Sequence, residues 1–301
     1  METKRMNVLV TGGNGQLGCA LRKVSPGSRH RFIFADVKDI PGAETVLLDA
    51  ANPAAVELIC ESEQVDAIVN CAAYTDVDGA ESDPATAALL NRDIPACLAA
   101  AARRRKAILI HISTDYIFSG DANRPIPETA VPAPGSVYGA TKLAGEKAIT
   151  DSACRYLIIR SAWLFSEFGR NFVKTMRRLT AERDSLRVVC DQVGSPTSAD
   201  DLAEFILTAL DSGKTGIFNY TDLGAVSWYD FALAIRDLSG GSCEITPCLS
   251  SEYPHKAERP AYSVLDKTLV QKTFGITIPH WHESLRKCME ALERHEDNNR
   301  L

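Results

Sequence analysis

Residues 7–18 read Asn7-Val8-Leu9-Val10-Thr11-Gly12-Gly13-Asn14-Gly15-Gln16-Leu17-Gly18, an apolar β-rich run that breaks into spaced glycines. Asn7–Thr11 predicts a buried strand, and the residues from Gly15 onward predict a helix start. Glycines at 12, 15 and 18 meet three demands: a tight strand-to-helix turn, close backbone approach to a pyrophosphate, and close helix–sheet packing. The first N–H groups of the helix and the positive end of its dipole would then face phosphates. A glycine string alone is a weak signal, because glycines cluster in turns. Here the context is right, since a second strand, Arg31–Asp36, ends on a carboxylate 18 residues past Gly18. That is near the ~20 expected for an acid on a ribose hydroxyl. Gly12, Gly15, Gln16, Leu17, Gly18 and Asp36 are therefore candidate contacts for a dinucleotide. Asp36 favours NADH, because a carboxylate repels a 2′-phosphate, while Lys38 and Arg22 would let NADPH be tolerated.

Outward from this stretch, apolar runs alternate with helical patterns. Residues 66–70 (DAIVN), 107–113 (AILIHIS) and 156–160 (YLIIR) read as strands, with helices expected over about 85–105 and 138–150. Continuous apolar strands separated by helices predict an α/β fold, a Rossmann-like doubly wound parallel sheet covered on both faces. Beyond Trp163 the pattern loosens. Helices are expected over 171–183, 227–238 and 279–295, and from Ser198 and Asp201, with strands over 186–189 and 216–220. No linker separates these from the first half, so a smaller C-terminal unit is expected to interleave with the sheet.

With 301 residues, 45% hydrophobic and 24% charged, the chain is globular and long enough for about two units. Its 33 basic and 39 acidic residues leave a net charge of -6, which disfavours nucleic acid as a partner. The run Arg103-Arg104-Arg105-Lys106 is expected at a helix C-terminus, where cations complement the dipole. No apolar run approaches the ~18 residues of a membrane span, and Met1-Glu2-Thr3-Lys4-Arg5 leads into the first strand without a signal-peptide core. The nine cysteines include no CxxC pair, which suits free thiols and a cytoplasmic location. His280-Trp281-His282 lacks a third ligand at metal spacing, so no metal is expected there.

Tyr138 and Lys142 stand four residues apart, on one face of the expected helix. A tyrosine ordinarily titrates near 10, too high for efficient proton exchange at neutrality. An ammonium about 4 Å away would favour phenolate by up to ~4 kcal/mol at an effective dielectric near 20. An isolated YxxxK is a common string, and its weight comes from standing in one chain with the glycine loop.

Together with these residues, several ordered segments resemble the extended short-chain dehydrogenase/reductase family, in particular its reductases of nucleotide-linked 4-ketosugars. They are Gly15–Gly18, 65–78 (VDAIVNCAAYTDVD) with Ala80-Glu81, 113–118 (STDYIF), 138–146 (YGATKLAGE), 160–165 (RSAWLF), 171–173 (NFV), 191–197 (DQVGSPT), and Arg259-Pro260 with Ser263 and Leu265-Asp266. The resemblance implies reduction of the C4 carbonyl of a nucleotide-linked 6-deoxy-4-ketohexose by NADPH or NADH. It implies that Tyr138 donates the proton, that Lys142 anchors the nicotinamide ribose and tunes the phenol, and that Thr114 hydrogen-bonds the carbonyl oxygen. Cys71, Ala72 and Ala73 would lie against the cofactor and Asp49 on its adenine side. Thr75, Val77, Thr114, Asp115, Tyr116, Trp163 and Arg259 would contact the nucleotide sugar. For 192–197 a pocket lining and a Gly-Pro turn remain equally open. The division implied is 1–165 with 186–222 for the dinucleotide, and 166–185 with 223–301 for the nucleotide sugar.

Some family members carry a glutamate in the first helix for a magnesium-linked dimer. Cys19-Ala20-Leu21 offers no carboxylate, so a monomer or weak homodimer without metal is expected. Ser119 and Ser136 also depart from the usual acid and asparagine. Two other readings stay open: an epimerase or dehydratase of the same superfamily, and a non-catalytic regulatory subunit resembling that of methionine adenosyltransferase.

Overall fold

The computed structural model describes residues 5–298. The reading of Met1–Lys4, and the last residues of the second unit (299–301), lie outside the described residues.

Six strands, β1 (Asn7–Thr11), β2 (Arg31–Asp36), β3 (Val46–Leu47), β4 (Ala67–Asn70), β5 (Ile108–Thr114) and β6 (Arg155–Ser161), join Gly216–Asn219 in one sheet. Its spatial order is Gly216–Asn219, β6, β5, β4, β1, β2, β3, with every pairing parallel. The chain winds outward from β1 in both directions, which puts the topological switch point between β1 and β4. Ligand crevices of doubly wound folds open there, beyond the carboxyl ends of the strands.

The period-2 alternation of β1 explains why its central residues, Val8, Leu9 and Val10, are all apolar. Val8 and Val10 enter one core with Leu17, Leu21, Leu202 and Ile206, whereas Leu9 enters the other with Ile68, Leu98, Leu109 and Ile149. Both faces are buried, so the middle of the strand is an unbroken apolar run, and Thr11 at its end is paired with Asn70.

The helix expected over 85–105 is broken in a way the periodicity does not show. Pro84–Ala88 and Ile94–Arg105 are α-helical, and Leu89–Asp93 between them is a π turn. Pro95 has no N–H to donate to the Asn91 carbonyl, so the α ladder cannot run through this point. Gly145 packs against that freed carbonyl so closely that a Cβ there would lie 2.1 Å from it.

The strand expected over 186–189 does not return to the central sheet. Ser185–Val189 pairs in parallel with Glu244–Cys248 in a separate ladder. Its Val188 and Ile245 share a core with Phe165, Phe231 and Leu285. The chain rejoins the first unit through the helix Ala199–Ser212, packed on the helix α1 (Gln16–Val24), and through Gly216–Asn219. The expected block 186–222 is thus divided between the two cores.

Candidate active site

A cleft of about 740 Å³ runs along the carboxyl ends of the central strands. At one end lies the turn from β1 into α1. Gly12 has a φ of 70°, and a Cβ there would sit 2.6 Å from the Ala72 nitrogen. Only glycine fits, and the turn presents backbone where a side chain would fill the crevice. Gly15, Gln16 and Leu17 line the cleft at the start of α1, whose first turn carries no acidic residue. Anion-binding geometry of this kind fits a dinucleotide pyrophosphate. Gly18 does not line the cleft. It lets α1 lie on the loop, since a Cβ at 18 would be 2.4 Å from the Gly12 carbonyl oxygen.

Asp36 lines the cleft at the end of β2, accepting the Asn14 N–H at 3.1 Å. Arg22 is committed elsewhere. Its guanidinium donates to the Gly13 and Glu44 carbonyls, Asn14 Oδ1 and Thr45 Oγ1, and lies 4.2 Å over the Phe34 ring. Asp49 departs from expectation. Leu48 and Ala50 line the cleft, but the intervening Asp49 points away and accepts the Ala51 N–H at 2.9 Å.

Cys71, Ala72 and Ala73 form the wall beyond β4, followed by Thr75 and Val77. Asn70 orders this wall: its Oδ1 accepts the Thr11 hydroxyl at 2.8 Å and the Ala72 N–H at 3.1 Å. Asn91, placed by the π turn, accepts the Tyr74 N–H at 2.9 Å and donates to the Tyr74 carbonyl and to Thr141 Oγ1. It ties the wall to the helix Val137–Asp151, which Ser136 caps by accepting the Gly139 N–H. A single buried asparagine in an alanine-rich helix, four residues before a proline, was the available signal for it.

Thr114, Asp115, Tyr116, Tyr138 and Lys142 converge at the middle of the cleft. Burial pushes the Tyr138 phenol up to about 12, while the Thr114 hydroxyl facing it pulls down and the Asp115 carboxylate pushes further up. The expected lowering of this phenol by Lys142 is therefore overturned. The lysine donates one of its three N–H groups to the Ile112 carbonyl at 2.6 Å. Burial lowers its own ammonium to about 8, against the pull of Glu146. Asp115, 1% exposed, is raised to about 6 by burial, with Ser263 and Thr114 opposing.

At the far end, Trp163 adopts a φ of 50° and stacks on Trp228, with ring centroids 3.4 Å apart and planes within 6°. Both line the cleft. Trp228 was not anticipated, because it reads as the first residue of an amphipathic helix. The 192–197 segment lies behind this pair rather than on the cleft surface. A Cβ at Gly194 would meet the Trp163 ring at 2.6 Å, and Thr197 donates to the Ala162 carbonyl at 2.6 Å. Arg259 lines the cleft while paired with Asp78 at 2.8 Å. Arg170, also on the cleft wall, has no hydrogen-bond or ion-pair partner among the described residues.

A dinucleotide cradle continuous with a Thr–Tyr–Lys cluster defines an oxidoreductase of the short-chain dehydrogenase/reductase class. The family model described as the RmlD substrate binding domain matches residues 6–294. The chain belongs to that family, which is the family of the dTDP-4-dehydrorhamnose reductases. It is 36% identical to the dTDP-4-dehydrorhamnose reductase of Burkholderia thailandensis over 95% of this chain and 99% of the relative. The crystal structure of a dTDP-4-dehydrorhamnose reductase from Clostridium acetobutylicum is similar at a TM-score of 0.90 and 41% identity, covering 96% of this chain and 100% of that one. The Bacillus anthracis dTDP-4-dehydrorhamnose reductase, solved in complex with NADP, gives a TM-score of 0.90 at 34% identity, over 96% and 100% of the two chains.

Proposed function

We propose that this chain reduces the C4 ketone of dTDP-4-dehydro-L-rhamnose to give dTDP-L-rhamnose. The observation that carries this reading is the continuity of one cleft, from the glycine turn through Thr114, Tyr138 and Lys142 to Trp163 and Arg259. A bound nicotinamide dinucleotide supplies the hydride. Gly12, Gly15, Gln16 and Leu17 hold its pyrophosphate, and Asp36 receives the adenosine ribose hydroxyls. Cys71, Ala72 and Ala73 give the flat approach it needs. Tyr138, a neutral phenol at physiological pH, donates its proton to the sugar oxygen as negative charge develops there. Thr114 orients that oxygen, and Lys142 anchors the nicotinamide ribose. The sugar lies between Thr75, Val77, Asp115, Tyr116 and Trp163, with Arg259 toward its diphosphate. The sheet unit and the 166–185 and 223–301 segments divide the two ligands between them.

A dinucleotide deuterated at the transferable position of its nicotinamide tests this. The label is expected at C4 of the product, whereas unlabelled product formed without cofactor oxidation would favour an epimerase.

Two further outcomes follow from the geometry. With Arg22 bound up in its own contacts, Asp36 disfavours a 2′-phosphate. Asp36→Asn is expected to shift the ratio of NADPH to NADH affinity about tenfold toward NADPH, equal to about 1.4 kcal/mol. Fluorescence titration with each dinucleotide measures it. Dinucleotide affinity is also expected to fall as pH rises through about 8, where Lys142 loses its charge. The same titration at several pH values checks this, and a Lys142→Met variant should be flat over that range.

A further inference from the structure

The charged side chains lining the cleft are Asp36, Asp115, Lys142, Arg170 and Arg259. The reductase reading brings two anionic ligands there, so the state of each cation matters. Lys142 is buried and donates to the Ile112 carbonyl, and Arg259 is paired with Asp78 at 2.8 Å. Arg22, behind the glycine turn, is held by the Gly13 and Glu44 carbonyls, Asn14 and Thr45. Arg170 is exposed and, alone among the cleft cations, makes no hydrogen bond or ion pair with the described residues.

Its backbone is nonetheless held in place. Residues 166–171 run from the short strand Leu164–Phe165 to the helix Phe172–Glu182, which Asn171 caps by accepting the Lys174 N–H at 3.1 Å. The Asn171 amide also donates to the Ser166 carbonyl at 2.7 Å, and Gly169 turns the loop with a φ of 60°. The loop is fastened to the first turn of α1. Gln16 Oε1 accepts the Ser166 hydroxyl and the Asn171 amide, each at 2.9 Å, and a Cβ at Gly169 would lie 3.1 Å from Gln16 Cγ. Lys23, further along α1, reaches Glu167 at 3.0 Å. Phe165 and Val173, on either side of the loop, belong to the core of the second unit with Phe231 and Leu285. The second unit thus lays Gly169, Arg170 and Asn171 along the cleft beside Gln16.

We propose that Arg170 binds the dinucleotide pyrophosphate from the second unit, facing the glycine turn that holds it from the first. The proposal rests on the reading in which Gly12, Gly15, Gln16 and Leu17 hold that pyrophosphate, and deepens it. The glycine turn offers N–H groups and a helix dipole, but the first turn of α1 carries no basic residue. A planar guanidinium supplies the missing full charge and matches paired phosphate oxygens. With no counter-ion to release, Arg170 meets an anion without breaking a contact in the protein. Arg259 lies at the far end of the cleft, so the diphosphates of the two ligands meet different arginines. Bound this way, the dinucleotide touches both units and ties them together.

The test is fluorescence titration of the full chain with NADH and NADPH, and competition by ADP-ribose and dTDP. Arg170→Ala is expected to weaken NADH, NADPH and ADP-ribose by one common factor of about tenfold, the effect of losing one charge-assisted contact at an exposed site. The affinity for dTDP, which brings its own diphosphate, should stay within about twofold of wild type. Arg170→Lys, which keeps the charge but not the fork, should fall between wild type and Arg170→Ala. Raising salt from about 50 to 500 mM should bring the wild-type affinity toward that of Arg170→Ala, because exposed charge pairs are screened. Urea unfolding of Arg170→Ala should match wild type, since the side chain supports nothing in the free protein. An Arg170→Ala chain that binds every dinucleotide as wild type does would overturn the proposal. So would a loss confined to NADPH, which would put Arg170 at the 2′-phosphate, or one confined to dTDP, which would give it to the sugar nucleotide. Wild-type protein that binds neither NADH nor NADPH would sink the dinucleotide reading and the proposal with it, a failure seen before any variant is made.

Discussion

Tyr138→Phe is expected to lower kcat about 1000-fold, within the span a positioned proton donor contributes, while dinucleotide affinity stays within about twofold. The variant deletes one oxygen and little else. The ring keeps its edge-to-face contact with Tyr116, centroids 5.4 Å apart, and Lys142 keeps its bond to the Ile112 carbonyl. Because burial holds the phenol near 12, the wild-type group keeps its proton at neutral and acid pH. The loss should therefore be nearly pH-independent on the acid side. Steady-state kinetics beside a dinucleotide titration separate the two effects. Retention of a tenth or more of the activity would remove Tyr138 from the role.

The second large effect lies beneath the site. Arg160 on β6 makes a bidentate pair with Glu146, Nε to Oε1 at 3.0 Å and Nη2 to Oε2 at 2.8 Å, with both side chains 4% exposed. Its remaining arm donates to the Glu128 carbonyl at 3.0 Å. Glu146 stands one turn beyond Lys142 on the helix that carries Tyr138, so the pair fixes that helix to the sheet. Glu146→Ala strands a buried guanidinium and is expected to cost about 3–5 kcal/mol in urea unfolding. The double variant Glu146→Leu with Arg160→Met should recover much of that loss, because the cost comes from the orphaned charge. It should not recover the support that Glu146 gives the Lys142 ammonium. Stability and dinucleotide affinity would then separate, the first restored and the second weakened at lower pH than in the wild type.

What was legible in the chain follows physical constraints that act locally. Gly12 and Gly18 could be read because a left-handed turn and a backbone contact admit no other residue. The strands of the central sheet could be read because burial on both faces leaves an unbroken apolar run. The Tyr138–Lys142 spacing could be read because a helix puts them on one side. Other features depend on contacts far apart in the chain. Nothing in residues 186–189 specifies pairing with Glu244–Cys248 in place of the central sheet. Asp49 follows a two-residue strand, too short for alternation to show which way its side chain points. The phenol of Tyr138 was misjudged because spacing reveals a neighbouring charge but not the depth of burial, which here is the larger effect. Trp228 and Asn91 entered the site through packing between segments, and neither carries a motif of its own.

The central claim is that this cleft transfers hydride to a ketosugar nucleotide and consumes the cofactor in doing so. The most direct test mixes purified protein with NADH or NADPH and dTDP-4-dehydrorhamnose, following cofactor absorbance and product together. One reduced dinucleotide oxidised per dTDP-rhamnose formed, abolished in Tyr138→Phe, is the result predicted here. Product without net oxidation, or no reaction with either dinucleotide, would contradict it.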